Sequence, residues 1–217
     1  KGLFGKCVFG NASKLFENGR HGVALFSKSP MSDTERTNFD SVLFSRVMLS
    51  ATVDDKRIHC VHATAADFEL VPRLGRSDTW AEELAGQMDV IASKTKSDRC
   101  DLLLGDLNTG PLGPGYTAFF GESYQKLVDA GFENLWTTPS CTWCEDNENM
   151  SHVPEEFDLP YKGSFWIDHI MQMGCTLEKP TVTRILDQPT NLGMIKGDTR
   201  LSDHYGLRLD VEPAPKK

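Results

Sequence analysis

The run Asp101-Leu102-Leu103-Leu104-Gly105-Asp106-Leu107-Asn108 constrains this chain more than any other stretch. Its three leucines read as a buried strand that ends at Gly105. Asp106 and Asn108 follow, spaced by two, and on an extended backbone that spacing points both side chains to one face. A carboxylate and a carboxamide at the lip of a buried strand suit a cation, a water or a phosphoryl oxygen. An ordinary turn is the competing reading, because Asp and Asn are favoured turn residues ahead of Gly110-Pro111. Just upstream, Trp80, Leu84, Met88 and Ile91 recur at helical spacing within residues 77–96, and Ser77 or Asp78 can cap the first turn. With residues 57–62 before it and the leucine run after it, this helix makes a strand, helix, strand unit that favours parallel neighbours.

The rest of the chain supplies further strands. Residues 1–21, with Gly2, Gly5, Gly10 and Gly19, read as a loop-like opening. Residues 22–26 read as a strand closed by Ser29-Pro30, and residues 42–53 as a longer one. After a turn at Asp54-Asp55-Lys56, residues 57–62 return antiparallel, with Ile58, Cys60 and His62 on one face and His59 and Val61 on the other. A second helix is expected over residues 116–130, with Gly131 as its C-cap. Residues 137–163 read as a solvated acidic loop, residues 165–171 as a strand interrupted by Asp168 and His169, and residues 181–186 and 205–211 as the closing strands. Residues 213–217 read as disordered.

Composition narrows the class. A chain of 217 residues suits a single domain, and it carries no apolar run long enough to span a bilayer. A net charge of −8 argues against a nucleic-acid binder that relies on a broad basic surface, and leaves room for a nuclease that reaches phosphates through a local site. Cys141 and Cys144 are half of a zinc set, but no second pair at ligand spacing follows and His152 stands alone. A disulfide or free thiols are therefore expected for the six cysteines, with their pairing open. The chain opens at Lys1 without a Met, as a processed product would, and the sequons at Asn11 and Asn149 suit a secreted protein.

Four expected strand ends carry polar groups where buried strands seldom have them: His62, Asp106 with Asn108, Asp168 with His169, and Asp203 with His204. Each alone fits a turn or a hydrogen-bonded structural residue. Together they supply carboxylates for a hard cation, imidazoles for proton transfer and an amide to orient an oxygen, the parts of metal-assisted phosphoryl transfer.

With these motifs, the sequence resembles the endonuclease/exonuclease/phosphatase superfamily. Gly105-Asp106-Leu107-Asn108 is similar to its Gly-Asp-Phe-Asn motif, Ile167-Asp168-His169-Ile170 to its Asp-His-Ile motif, Ser202-Asp203-His204 to its terminal Ser-Asp-His, and Val61-His62-Ala63 to its central Thr-His-Leu strand. The resemblance runs from about Gly22 to Val211. It implies an α/β fold of two mixed β-sheets packed face to face, with helices on the outer faces. It also implies a divalent-metal-dependent phosphodiester hydrolase using Mg²⁺, with a nucleic acid or a phospholipid as substrate; the aromatics Trp136, Trp143, Phe157, Tyr161 and Trp166 would suit a phospholipid at the mouth, or simply a core. His204 would be the general base and Asp203 would orient it or meet the metal. His62, held by Asp168, would stabilise or protonate phosphoryl oxygens, and Asp106 and Asn108 would position metal and phosphate. One departure is plain: the family's two leading strands, bearing an Asn and a metal-ligand Glu, have no counterpart here, and Glu17 stands in the wrong context to replace the latter. An N-terminal segment of the same protein would complete the fold, or else the chain is a non-catalytic binding module.

Overall fold

The computed structural model describes residues 6–11, 22–39, 46–64, 80–96, 98–151, 163–191, 198–200 and 202–212. In chain order these form β1 (Lys6–Asn11), β2 (Gly22–Ser27), β3 (Ser32–Asn38), β4 (Val47–Val53), β5 (Lys56–His62), α1 (Trp80–Lys94), β6 (Asp101–Asp106), α2 (Gly121–Asp129) and β7 (Glu133–Asn134). A short α3 (Glu148–Ser151) follows, then β8 (Asp168–Met173), β9 (Thr181–Ile185), β10 (Thr190–Asn191), β11 (Asp198–Thr199) and β12 (Gly206–Asp210).

Six strands make one mixed sheet in the order β3-β4-β5-β6-β8-β7. β4 and β5 pair antiparallel around the expected turn, where Asp54 and Asp55 both take positive φ, the conformation whose twist suits a two-residue hairpin. The crossover through α1 then lays β6 parallel to β5, as the strand, helix, strand pattern requires, and β8 closes on β6 from the other side antiparallel.

Alternation divides the sheet into two surfaces. Val61, Leu103 and Met171 face α1 and α2, where Leu84, Met88, Ile91 and Leu127 complete the larger core. Each such side chain, fully removed from water, contributes roughly 1.5–3 kcal/mol relative to exposure. Leu102, Leu104 and Ile170 face the opposite way, toward Val182, Leu207 and Leu209 of the β9–β12 pair. On that same face Val23 packs on Val47 and Leu49, and Leu25 on Ala51, so the β1–β2 pair covers the β4–β5 end of the sheet.

Three features differ from expectation. The second layer consists, among the described residues, of two separate antiparallel ribbons and not of a second mixed sheet, and α1 and α2 both lie on the one remaining face. The opening read as a loop contains β1, paired residue for residue with β2. The second helix starts at Gly121 and not near Tyr116, because Gly110 bridges Phe119 and Thr117 bridges Phe165, which pulls residues 110–119 into extended pairing. The proposed cap at Ser77 or Asp78, Glu17, His152, Phe157, Tyr161 and the 213–217 tail lie outside the described residues. Trp136, Trp143 and Trp166 are buried and belong to the core.

Among the described residues two disulfides are formed, Cys100–Cys175 and Cys141–Cys144, the second of which takes up the Cys-x-x-Cys pair. Cys60 is a free thiol. No helix among the described residues is long and apolar enough to cross a membrane.

Candidate active site

The centre of the sheet ends in a row of polar groups. His62, Asp106 and Asp168 are Cα partners across β5, β6 and β8, so three adjacent strands present one side chain each at the same level. Their face is that of Leu102, Leu104 and Ile170, away from the helices. Gly105 makes the row possible: at its φ of 137° a Cβ would stand 1.9 Å from the Val61 carbonyl oxygen, so a side chain there would force β5 and β6 apart.

Asp106 is the hub. His62 Nε2 lies 3.3 Å from its Oδ2, and His62 is two-fifths exposed, open to solvent. Asn108 donates to Asp106 twice, from its backbone N–H to Oδ1 at 2.9 Å and from Nδ2 to Oδ2 at 3.1 Å, and Nδ2 also donates to the Ala63 carbonyl at 3.2 Å. Asn108 is not on the strand: β6 ends at Asp106, and Asn108 takes φ 48°, a left-handed conformation that Asn tolerates better than most residues. The turn and the site, alternatives in the sequence, are therefore one structure.

His204 arrives from the β9–β12 side, just ahead of β12. Its Nδ1 lies 2.8 Å from Asp168 Oδ2. The observed pairing differs from the expected one: Asp168 holds His204, while His62 meets Asp106. The sheet order explains this, because β6 stands between β5 and β8 and separates His62 from Asp168. Asp203 turns aside; its Oδ1 accepts from Ser202 Oγ at 3.3 Å, and its carboxylate acts on His204 through its field. His169, next to Asp168, points to the helix side, where its ring packs against those of Tyr124 and Trp166, its centre 5.1 Å and 4.8 Å from theirs.

The charges are strongly coupled. Burial works against a charged His204, but the hydrogen bond to Asp168 and the fields of Asp106, Asp168 and Asp203 outweigh it and hold the imidazole up at about 10. Burial and the Asp168 carboxylate push the Asp106 carboxyl above its usual range, against the opposing effect of His62, His204 and the Asn108 N–H. Two carboxylates this close repel unless positive charge lies between them.

Ligand atoms of Asp106, Asp168 and His204 all lie within 4.8 Å of one another. The donor set fits a divalent cation: Mg²⁺ is commonly held by one or two carboxylates, with waters and phosphate oxygens completing the shell. Asp203 is not part of this cluster.

Behind the site stand two buried residues that pattern reading passed over. Asn147 Nδ2 donates to the carbonyls of Ser202 and Asp203, both at 3.0 Å, and Thr142 Oγ1 accepts the Asp168 N–H at 3.0 Å. Both sit in the stretch read as an acidic loop, and only the cysteines flanking Thr142 hinted at a fixed geometry there.

No family model matches the chain, and no curated protein matches it. Solved structures do. A 3′ phosphatase from Neisseria, bound to product DNA hairpin, superposes with a TM-score of 0.63 at 18% identity over 95% of this chain and 79% of its own. An endonuclease/exonuclease/phosphatase family protein from Leptotrichia buccalis gives 0.59 at 16% identity over 95% and 71%. A sphingomyelinase C from Streptomyces griseocarneus gives 0.61 at 15% identity over 88% and 68%.

Proposed function

We propose, from the endonuclease/exonuclease/phosphatase fold that this chain shares with those structures, that it is a divalent-metal-dependent phosphodiester hydrolase. The observation that carries this reading is the convergence of Asp106, Asp168 and His204 within 4.8 Å at the open end of a central sheet, with His62 beside them. A cation held by Asp106 and Asp168 would offset charge on the phosphoryl group.

The chain's own residues divide the remaining work. His204, its Nδ1 fixed by Asp168, leaves Nε2 as the proton acceptor for the attacking water. It is an imidazolium at neutral pH while the carboxylate field is uncompensated, so it becomes a base only once positive charge offsets Asp106 and Asp168. Asp203 adds to the field on His204. His62, the most exposed member, donates to a phosphoryl oxygen or to the leaving alkoxide, and Asn108 holds Asp106 in place.

Hydrolysis of bis-p-nitrophenyl phosphate in Mg²⁺, then in excess EDTA, tests this. Turnover that chelation abolishes and Mg²⁺ restores is expected; its absence would leave the non-catalytic binding module. DNA and sphingomyelin, offered side by side, separate the two substrate classes. Two disulfides suit action in an oxidising, extracellular setting.

A further inference from the structure

The Asp168–His204 pair joins two segments from different layers, the start of β8 and the residues just ahead of β12. Thr142 touches both. It is fully buried; its Oγ1 accepts the N–H groups of Ile167 at 3.2 Å and Asp168 at 3.0 Å, and its carbonyl accepts the Tyr205 N–H at 2.7 Å. Its own N–H donates to the Phe165 carbonyl at 2.9 Å. One residue therefore fixes the backbone next to both members of the pair.

Thr142 is itself confined. The Cys141–Cys144 disulfide closes a ring over it and Trp143, and Trp143 is bonded in both directions to Phe165, with the two rings stacked at 5.5 Å. On the other side, Arg184 Nη1 donates to the Cys141 carbonyl at 3.4 Å, and its guanidinium lies 4.6 Å from the Tyr205 ring centre. A ring this short removes little chain entropy from the unfolded state, so global stability is a weak reason for it. Fixing the dihedrals of Thr142 is a stronger one.

We propose that Thr142, clamped inside the Cys141–Cys144 ring, is a positioning residue that sets the Asp168–His204 geometry. For its activity readout the proposal rests on the hydrolase reading above. Its second readout does not: the His204 proton shared with Asp168 should give a downfield line in the NMR spectrum of the metal-free protein. In Thr142→Val, which keeps shape but loses the acceptor, and in the Cys141→Ser/Cys144→Ser double variant, that line should broaden or vanish. On bis-p-nitrophenyl phosphate with Mg²⁺, kcat should fall about a hundredfold with KM little changed, the scale of a roughly 1 Å misplacement. Thr142→Ser, with its hydroxyl restored, should recover both, and Cys100→Ser/Cys175→Ser should retain both despite losing the other disulfide. Folded Thr142→Val and Cys141→Ser/Cys144→Ser proteins with an unchanged line would overturn the proposal. If Thr142→Val does not fold, the double variant carries the same comparison. A wild-type protein without turnover, whose line still follows this pattern, sinks the hydrolase reading and leaves the positioning role standing. Normal turnover with an unmoved line does the reverse.

Discussion

His169 should make stability depend on pH in one defined window. Its ring is almost completely buried against Tyr124 and Trp166; Nε2–H donates to the Thr109 carbonyl at 2.7 Å, and Nδ1 accepts from Asn134 Nδ2 at 2.9 Å. Both nitrogens are committed in the neutral tautomer, and a proton on Nδ1 would face the Asn134 amide hydrogens. Burial pulls its pKa down from 6.5 to about 4, against the backbone bonds that favour the charged form. The sign follows from linkage. Above about pH 6.5 neither state binds the proton and the full contribution is present; as pH falls, the unfolded chain takes up a proton that the folded protein refuses, and stability drops until about pH 4. At about 1.36 kcal/mol per pH unit, that interval amounts to roughly 3 kcal/mol. The assay is urea unfolding, followed by circular dichroism at several pH values from 7 to 4, of wild type and His169→Gln. Glutamine can keep the donor to Thr109 but cannot titrate. Carboxylates and His59 are common to both proteins and cancel in the difference. The wild-type advantage should shrink by about 3 kcal/mol across the window, or reverse sign. A gap that stays constant from pH 7 to pH 4 would refute the reasoning.

Other outcomes follow from the same structure. Replacing Asp168 by Asn removes a carboxylate whose charge and charge-assisted hydrogen bond raise His204, so its pKa in an NMR titration should fall from about 10 toward 6.5. Turnover should drop by a factor on the order of 10²–10⁴ if the pair orients a base. Removing Cys100–Cys175, which closes a loop of 75 residues, should cost roughly 4 kcal/mol in the chain-entropy picture, whereas removing Cys141–Cys144 should cost less than half as much; chemical denaturation of each double Ser variant compares them. Asp101 is fully buried and accepts from His59 Nε2 at 2.9 Å, Arg99 Nε at 3.0 Å and the Lys96 N–H at 2.8 Å, so Asp101→Leu should destabilise by about 3–5 kcal/mol in the same assay by leaving those donors unanswered.

The parts of this fold legible in the sequence are those where one physical signal dominates. The leucine run of β6, the helical spacing in α1, the apolar-rich run of β4 and the alternation of β5 place the middle of the sheet. β3 was invisible because its sequence, Ser32-Asp33-Thr34-Glu35-Arg36-Thr37-Asn38, is almost wholly exposed at an edge, where no alternation is required and charge is an advantage. For the candidate site, the motifs named the groups but not their partners. Which histidine meets which aspartate depends on strand order, which is non-local, so the His62–Asp168 pairing expected from the resemblance gave way to His62–Asp106 and Asp168–His204. Asp168 and His169 looked like one charged pair; alternation across the strand sends one to the open face and buries the other. Thr142 and Asn147 act through backbone groups, and residues that do so leave no recognisable spacing.

The row formed by His62, Asp106 and Asp168 gives this chain an unusual tolerance map. The spacing of these three groups comes from the distance between hydrogen-bonded neighbours, about 4.8 Å, and the direction in which they point comes from pleat parity. Point substitutions in the leucine run would alter packing and leave parity untouched. An insertion or deletion of a single residue in β6 would instead present Gly105 or Leu107 in place of Asp106, or carry the carboxylate to the side that α1 and α2 cover. Length polymorphism in relatives that keep the chemistry should therefore be confined to connections such as residues 111–115, where Leu112 already stands three-quarters exposed, and be absent from the ladder that joins β5, β6 and β8.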